Sequence, residues 1–269
     1  MSKKRKRIFL IGYISIIIIL TITVFFVPRS SSHEAIEDAM KDSVLHENNV
    51  ISLFGLNVNP ALISAFTVSI IILLIALIIR IFAIPKFKMV PGKLQLVIEE
   101  IVGFFDRLAC DNSPHHNRFL GAYIFGVGVF VCIGTLFELL GLHVICINGI
   151  PITLPAPLAD INGAIAIGCF SYLVIMIGGI IANRLKGVGL TLKEFSLPIS
   201  MSFRLFGALL SGLLVTDLVY HYLALSFVLP VIVGVLFTLM HAVVQTYVLT
   251  MLTSLFYGEV SEKKIKVKK

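Results

Sequence analysis

Charge is what this sequence has least of: 14% of its 269 residues are Asp, Glu, Lys or Arg, while 58% are hydrophobic. A soluble globular chain carries about 25% charged and roughly 45–50% apolar residues. The composition, with a mean hydropathy of +1.00, excludes a water-soluble domain of ordinary make-up. Cysteine is scarce and scattered: Cys110, Cys132, Cys146 and Cys169 show no CxxC spacing, which leaves them as small hydrophobes. HExxH is missing, and so is any Ser/His pair or His/Asp cluster, so an intramembrane enzyme finds no support. Pro91-Gly92-Lys93 lacks the upstream glycine of a phosphate-binding loop. His115 and His116 are adjacent, cannot share a helix face, and have no further ligand nearby to complete a metal set. An independent secondary ion transporter often shows internal repeats and paired broken helices, and neither occurs here. No cofactor and no metal are expected.

What is present is apolar sequence in long runs. Five blocks are clear: Ile8–Val27, Ala61–Ile84, Phe119–Leu142, Ile161–Ala182 and Ile199–Tyr220. A sixth, Leu225–Tyr257, runs for 33 residues, about 50 Å as a helix against a hydrocarbon core of about 30 Å. It must tilt strongly, bend at Pro230, or extend past one membrane surface. Lipid offers no partner to a free backbone N–H or C=O, so these blocks are helices. The expected fold is an all-α integral membrane protein of about six spans, ending in a long tilted helical hairpin.

The basic residues set an orientation. With the N-terminus in the cytoplasm, 19 of the 22 Lys and Arg fall on the inner side, Arg29 and Lys41 fall outside, and Arg204 is left within a span. The positive-inside rule thus predicts both termini in the cytoplasm. The net charge of +7 is split among short segments and does not point to nucleic acid. Residues 1–28 read either as a retained first span or as a signal-like leader ending near Ser30-Ser31-Ser32; the apolar stretch is longer than a leader needs. Residues 29–60 read as an acidic external segment, 61–257 as the membrane domain and 258–269 as a basic cytoplasmic tail. Within Pro91–Leu108, Leu94, Val97, Ile98, Ile101, Val102 and Phe105 recur every three or four residues opposite Gln95, Glu99, Glu100 and Asp106. That is an amphipathic helix lying on the cytoplasmic surface.

Ionisable groups inside spans carry the functional signal. An Arg at mid-span costs about 2.5–3.5 kcal/mol on insertion scales and usually faces the bundle interior with a partner. Arg204 can alternatively snorkel to the surface. Ser200, Gly207, Ala208, Ser211 and Gly212 surround it, which lets another helix come close. Thr238, His241 and Gln245 lie at i, i+3 and i+7 on one face of the last block. If the last two spans form an antiparallel hairpin turning near residue 224, Gln245 is level with Arg204 and His241 lies one turn outward. Asp217 and His221 then lie near the outer end. The sequence so lays a polar path from outside to a buried arginine.

These residues resemble a family. Ser196-Leu197-Pro198 followed by Ser202-Phe203-Arg204-Leu205-Phe206-Gly207 and Gly212 is similar to the arginine helix of subunit a of the F-type ATP synthase. Gln245 to Tyr257 resembles that family's final segment, Pro157-Leu158-Ala159-Asp160-Ile161-Asn162 the start of its preceding span, and Val90–Gln95 with Glu99 its surface helix. The resemblance runs over about Asn57–Tyr257, with four motifs in order. It implies a stationary, non-enzymatic subunit in a bacterial inner membrane that guides protons or sodium ions through two half-channels. Its partners would be the lipid bilayer, peripheral stalk subunits, and a rotating ring of small hydrophobic subunits, each bearing a carboxylate.

By the motif match, Arg204 is the essential charge between the half-channels. Arg keeps its proton throughout the physiological pH range and so cannot pass one on. A unit charge about 4 Å from a carboxylate, at an effective dielectric of about 20, is worth about 4 kcal/mol. That lowers the carboxylate's pKa by about three units. Gln245 would hydrogen-bond beside Arg204 without adding a competing charge. The sequence departs from the family's pattern at Ala208, where Asn is usual, and at Leu213 and Thr238, where the family often has acid or histidine. Asp217 and His241 lie close by on the same faces and would take over the outer relay, with Glu138, Asp160 and Asn162 as candidates to bridge their different depths. Asp217 reads equally well as a cap on the outer helix end. A proton path would use His241, whose unperturbed pKa is about 6.5, whereas sodium needs only oxygen ligands and water.

Overall fold

The computed structural model describes residue 15 and residues 51–53, 56–114, 117–140, 143–145, 151–221 and 229–262. The apolar block Ile8–Val27 (Ser15 apart), most of the acidic segment, His115, His116, Cys146 and the tail from Lys263 lie outside the described residues. The helices are α1 (Pro60–Ile78), α2 (Lys93–Asn112), α3 (Asn117–Phe137), α4 (Ile161–Asn183), α5 (Leu185–Lys193), α6 (Ser196–His221) and α7 (Leu229–Ser261). Two short antiparallel hairpins accompany them. β1 (Ile51–Leu53) pairs with β2 (Leu56–Val58), with Ile51 opposite Val58, and β3 (His143–Ile145) pairs with β4 (Pro151–Thr153), with His143 opposite Thr153.

The architecture is that of an all-α membrane protein, as the sequence predicts. Among the described residues four helices are long and apolar enough to cross a bilayer: Pro60–Lys86, Phe119–Leu140, Ile161–Asn183 and Ile232–Ser261. Leu185–Lys193 and Ser196–Gly212, bent by 49°, make a fifth when taken as one span. α5 is the element that the hydropathy pattern does not announce, because it is short, glycine-bearing and basic. The surface helix expected over Pro91–Leu108 runs instead from Lys93 to Asn112. α7 is described as one helix of 33 residues from Leu229 to Ser261, with Pro230 its second described residue. Residues 225–228, on the near side of the bend considered at Pro230, lie outside the described residues.

Local chemistry sets the element ends. Asn59 caps α1, its Oδ1 accepting from the Ala61 N–H at 2.9 Å, with Pro60 in the first turn. At the other end Pro85 has no N–H to give to the carbonyl of Ile81. The helix loosens there into a π-turn over Ile79–Ala83, then tightens into a 3₁₀ turn over Ile84–Lys86. Asp160 caps α4 and also accepts from Asn59 Nδ2 at 3.2 Å, tying the starts of α1 and α4 together. Arg184 joins α4 to α5 with φ of 52°, a conformation that favours glycine.

Packing depends on small residues. Lipid tails are as apolar as leucine, so helices associate in a bilayer through close backbone approach and hydrogen bonds. A Cβ at Gly168 would meet Ser202 and the Pro198 carbonyl of α6; one at Gly178 would meet the Tyr257 ring of α7. Gly179 abuts Val260 and Gly187 lies on the backbone of Gly179. Asn183 donates to the carbonyls of Val260 at 2.9 Å and Glu262 at 3.0 Å, closing the end of α7. The C-terminal end of α2 docks here too, with Ser254 Oγ donating to the Leu108 carbonyl at 2.9 Å and Gly258 facing the Asn112 carbonyl. A central core of Val131, Leu158, Ala164, Leu205, Leu209 and Leu249 joins α3, α4, α6 and α7. Outward faces stay apolar and exposed, as at Phe66 and Leu73 of α1, which suits lipid.

Two glycines two residues apart in α5 should respond oppositely to alanine. Gly187→Ala drives a methyl into the Gly179 backbone and is expected to cost about 1–3 kcal/mol by overpacking. Gly189→Ala meets nothing within 4 Å and is expected to gain up to about 1 kcal/mol in helix stability. Thermal unfolding midpoints of the two variants in detergent check the opposite signs.

Candidate functional site

Helical spacing decides where Arg204 points. On α6, Met201, Leu205 and Leu209 recur every four residues and are buried in the central core. Ser200, Phe203, Arg204, Gly207 and Ser211 occupy the other side and are exposed. Ser202 bonds back to the Pro198 carbonyl at 2.6 Å and leans on Gly168 of α4, which fixes the rotation of α6 two residues before the arginine. On α7, Ala242, Gln245, Thr246 and Leu249 are buried while Val243, Val244 and Tyr247 are exposed. Each helix of the pair so keeps one face uncovered by the rest of the described chain.

Arg204 and Gln245 come together. Both line a void of about 10 Å³ between α6 and α7, with Met201, Leu205, Val248, Leu249 and Leu252 around them. The space is about that of one water. Gln245 Oε1 is buried and accepts no hydrogen bond from the described residues. Arg204 itself is exposed, eight residues and about 12 Å from the start of α6 at Ser196. It makes no ion pair with a described carboxylate, whereas Arg107 on the surface of α2 pairs with Glu100 at 2.7 Å.

His241 lies further along the same groove. It packs on Gly212, where a Cβ would sit 3.4 Å from Nδ1, and edge-on to Phe237 with ring centroids 5.8 Å apart. Thr238 is buried one turn away. Asp217 and His221 belong to α6, and their side chains lie outside the described residues. Glu138 is half-buried in a 3₁₀ turn, Glu138–Leu140, that follows α3. Asp160 has both oxygens engaged: Oδ1 accepts from Asn162 N–H and Nδ2, each at 3.2 Å, and Oδ2 from Asn59. Asp160 and Asn162 are thus joined to each other and to α1 as a helix cap, apart from the Arg204–Gln245 void.

Sequence reasoning passed over a second polar column on α7. Thr246, Thr250, Thr253 and Ser254 are buried. Thr250 donates to the Thr246 carbonyl at 2.7 Å and Thr253 to the Leu249 carbonyl at 2.8 Å, and Thr246 Oγ1 is buried without a partner among the described residues. The i, i+4, i+7 spacing of the three threonines was a readable signal of a polar face. Among the described residues no three His, Cys, Asp or Glu side chains converge to hold a metal.

The fold and the arginine-bearing helix pair define a class, an all-α membrane protein with a cation set into an apolar face. The family described as ATP synthase A chain matches residues 63–258. ATP synthase subunit a from two strains of Cereibacter sphaeroides is 27% identical over 179 residues, covering 62% of this chain and 69% of theirs. ATP synthase subunit a of a Sulfurihydrogenibium species is 27% identical over 205 residues, covering 69% of this chain and 90% of that one. The chain belongs to this family, a membrane subunit of the ATP synthase that serves ATP synthesis and ion transport alongside the complex's other subunits.

Gly168 gives a test of the positioning. Gly168→Val pushes on Ser202 and should turn or shift α6, whereas Gly126→Val meets open space. Ion flux per assembled complex should fall about tenfold for the first, an added barrier of about 1.4 kcal/mol, and stay unchanged for the second.

Proposed function

We propose that this chain is the stationary ion-translocating subunit of a rotary ATP synthase. In this reading it faces a turning ring of small hydrophobic subunits, each with a mid-membrane carboxylate, and is braced by peripheral stalk subunits. Two offset half-channels, one from each surface, give ions access to that carboxylate. The chain performs no chemistry on nucleotide. Its setting is a bacterial inner membrane with both termini in the cytoplasm, which the distribution of Lys and Arg supports.

The observation that carries the reading is Arg204: an exposed guanidinium two turns inside an apolar helix, among small residues, with no described carboxylate to pair it. A cation in a span calls for an anionic partner. A ring carboxylate arriving from outside the chain meets that demand, and the small residues Ser200, Gly207 and Ser211 let its helix come close. Arg204 repels the ion from that carboxylate as it passes, and its permanent charge blocks direct leakage between the half-channels. Gln245, with an uncommitted amide oxygen beside the same void, steadies the guanidinium without neutralising it. His241 in its slot against Gly212, together with Asp217 further along α6, would form the outer relay. Glu138, Asp160 and Asn162 line the approach from outside, Asp160 as a fixed, fully hydrogen-bonded acceptor.

ATP-driven ion uptake into liposomes carrying the purified complex tests the central claim. Wild type should pump and Arg204→Ala should not; normal pumping by the variant would reduce Arg204 to a structural residue. The same assay with and without sodium names the ion. Asp217→Ala should slow uptake at least about tenfold, about 1.4 kcal/mol of barrier, and a wild-type rate would remove Asp217 from the relay and leave it a helix-end residue.

A further inference from the structure

The corner between α1 and α2 contains a cleft that no step of ion movement uses. Its volume is about 650 Å³, in the range of small-molecule sites, and Ile79, Phe82, Ala83, Phe87 and Leu94 give it apolar walls. Lys86, Lys88 and Lys93 also line it and are exposed, and none of its lining residues is acidic. The corner has a fixed shape. The π-turn before Pro85 and the 3₁₀ turn that contains it end the span, and at Phe87 the chain leaves the helix in an extended conformation. Gln95 then clips the connector from the first turn of α2: it accepts from the Lys88 N–H at 3.0 Å and donates to the Lys88 carbonyl at 2.9 Å. A further bond from Gln95 Nε2 to Glu99 at 2.7 Å orients the amide.

Charge and apolarity together narrow the occupant. A free phosphate would satisfy the lysines and leave the walls wet. A purely apolar helix would fill the walls and leave three lysines facing it. An amphiphile with a negative head satisfies both. Ile78 and Phe82, which line the cleft, are more than half exposed on the apolar span Pro60–Lys86, so in a bilayer the cleft would face lipid. An acyl chain can enter without crossing water, and basic pockets at a membrane surface recognise anionic headgroups.

We propose that this cleft binds an anionic glycerophospholipid, its phosphate among Lys86, Lys88 and Lys93 and one acyl chain against Ile79, Phe82 and Phe87. Such a lipid would brace α1 against the surface helix α2. The site depends only on the corner lying at a membrane surface, which the length of the span Pro60–Lys86 supports, and not on the ion pathway.

Native mass spectrometry of the delipidated, assembled complex tests it by titration with phosphatidylglycerol, phosphatidylcholine or inorganic phosphate. The wild type should retain phosphatidylglycerol and neither of the others. The triple variant Lys86→Gln, Lys88→Gln, Lys93→Gln should bind it at least about tenfold more weakly. Ala83→Trp, which fills the cleft and leaves the charges, should weaken retention as well. A benzophenone amino acid at Val90, which leaves the lysines in place, should crosslink to phospholipid in the wild-type background. Equal retention of the two lipids, binding of phosphate alone, retention unmoved by the triple variant, or a crosslink to a neighbouring subunit would each overturn the proposal.

Discussion

Inside a bilayer there is no hydrophobic drive to move an apolar side chain from lipid to protein. Helices are held together there by close packing and interhelical hydrogen bonds, and small residues let their backbones approach. In this chain that closeness is concentrated on α4. Gly168 receives α6, Gly178 and Gly179 receive α7, and Gly187 of α5 rests on the backbone of Gly179. The rotations of α6 and α7 about their axes follow from those seats, and so does the direction in which Arg204 leaves the bundle. The site is therefore a consequence of α4 as much as of the helices that bear its side chains. Removing the small residues would disorient the arginine without touching it.

The same layout separates two kinds of polar group. Hydroxyls that bond back to their own helix, such as Ser202, Thr250 and Thr253, stay buried at little cost because their demands are met locally. Arg204 and Gln245 make no such local bonds among the described residues, and both line a void between α6 and α7. Thr246 shares the unmet demand of Gln245, its Oγ1 being buried without a partner among the described residues. Asp160, by contrast, is satisfied by its neighbours, since Asn59 and Asn162 engage both its oxygens, which holds it as a fixed acceptor at the start of α4.

Much of this was legible beforehand. The spans were, because a bilayer demands about 20 apolar residues at a time and the chain supplies them in blocks. The level pairing of Arg204 with Gln245 followed from counting outward from an assumed hairpin turn, since the 1.5 Å rise is the same in both helices. What could not be read was rotation and direction change. Helix α5, its 49° bend to α6 and the positive φ at Arg184 arise from how α4 and α5 touch, which hydropathy does not encode. The loosened turn before Pro85 was implicit in that proline, but the cleft it opens depends on Gln95 reaching back to Lys88, a contact across a loop. The threonine column of α7 was visible in its spacing and masked by the apolarity around it.

The contact between Gly212 and His241 ties two positions on different helices into one volume. A Cβ at residue 212 would rest against the imidazole at ordinary contact distance, 3.4 Å from Nδ1, so the ring lies just beyond the space that an alanine methyl would take. Alanine at residue 212 can therefore be accommodated with His241 in place, whereas a longer side chain directed at the ring would have to displace it, so the bulk at 212 and the position of the imidazole are linked.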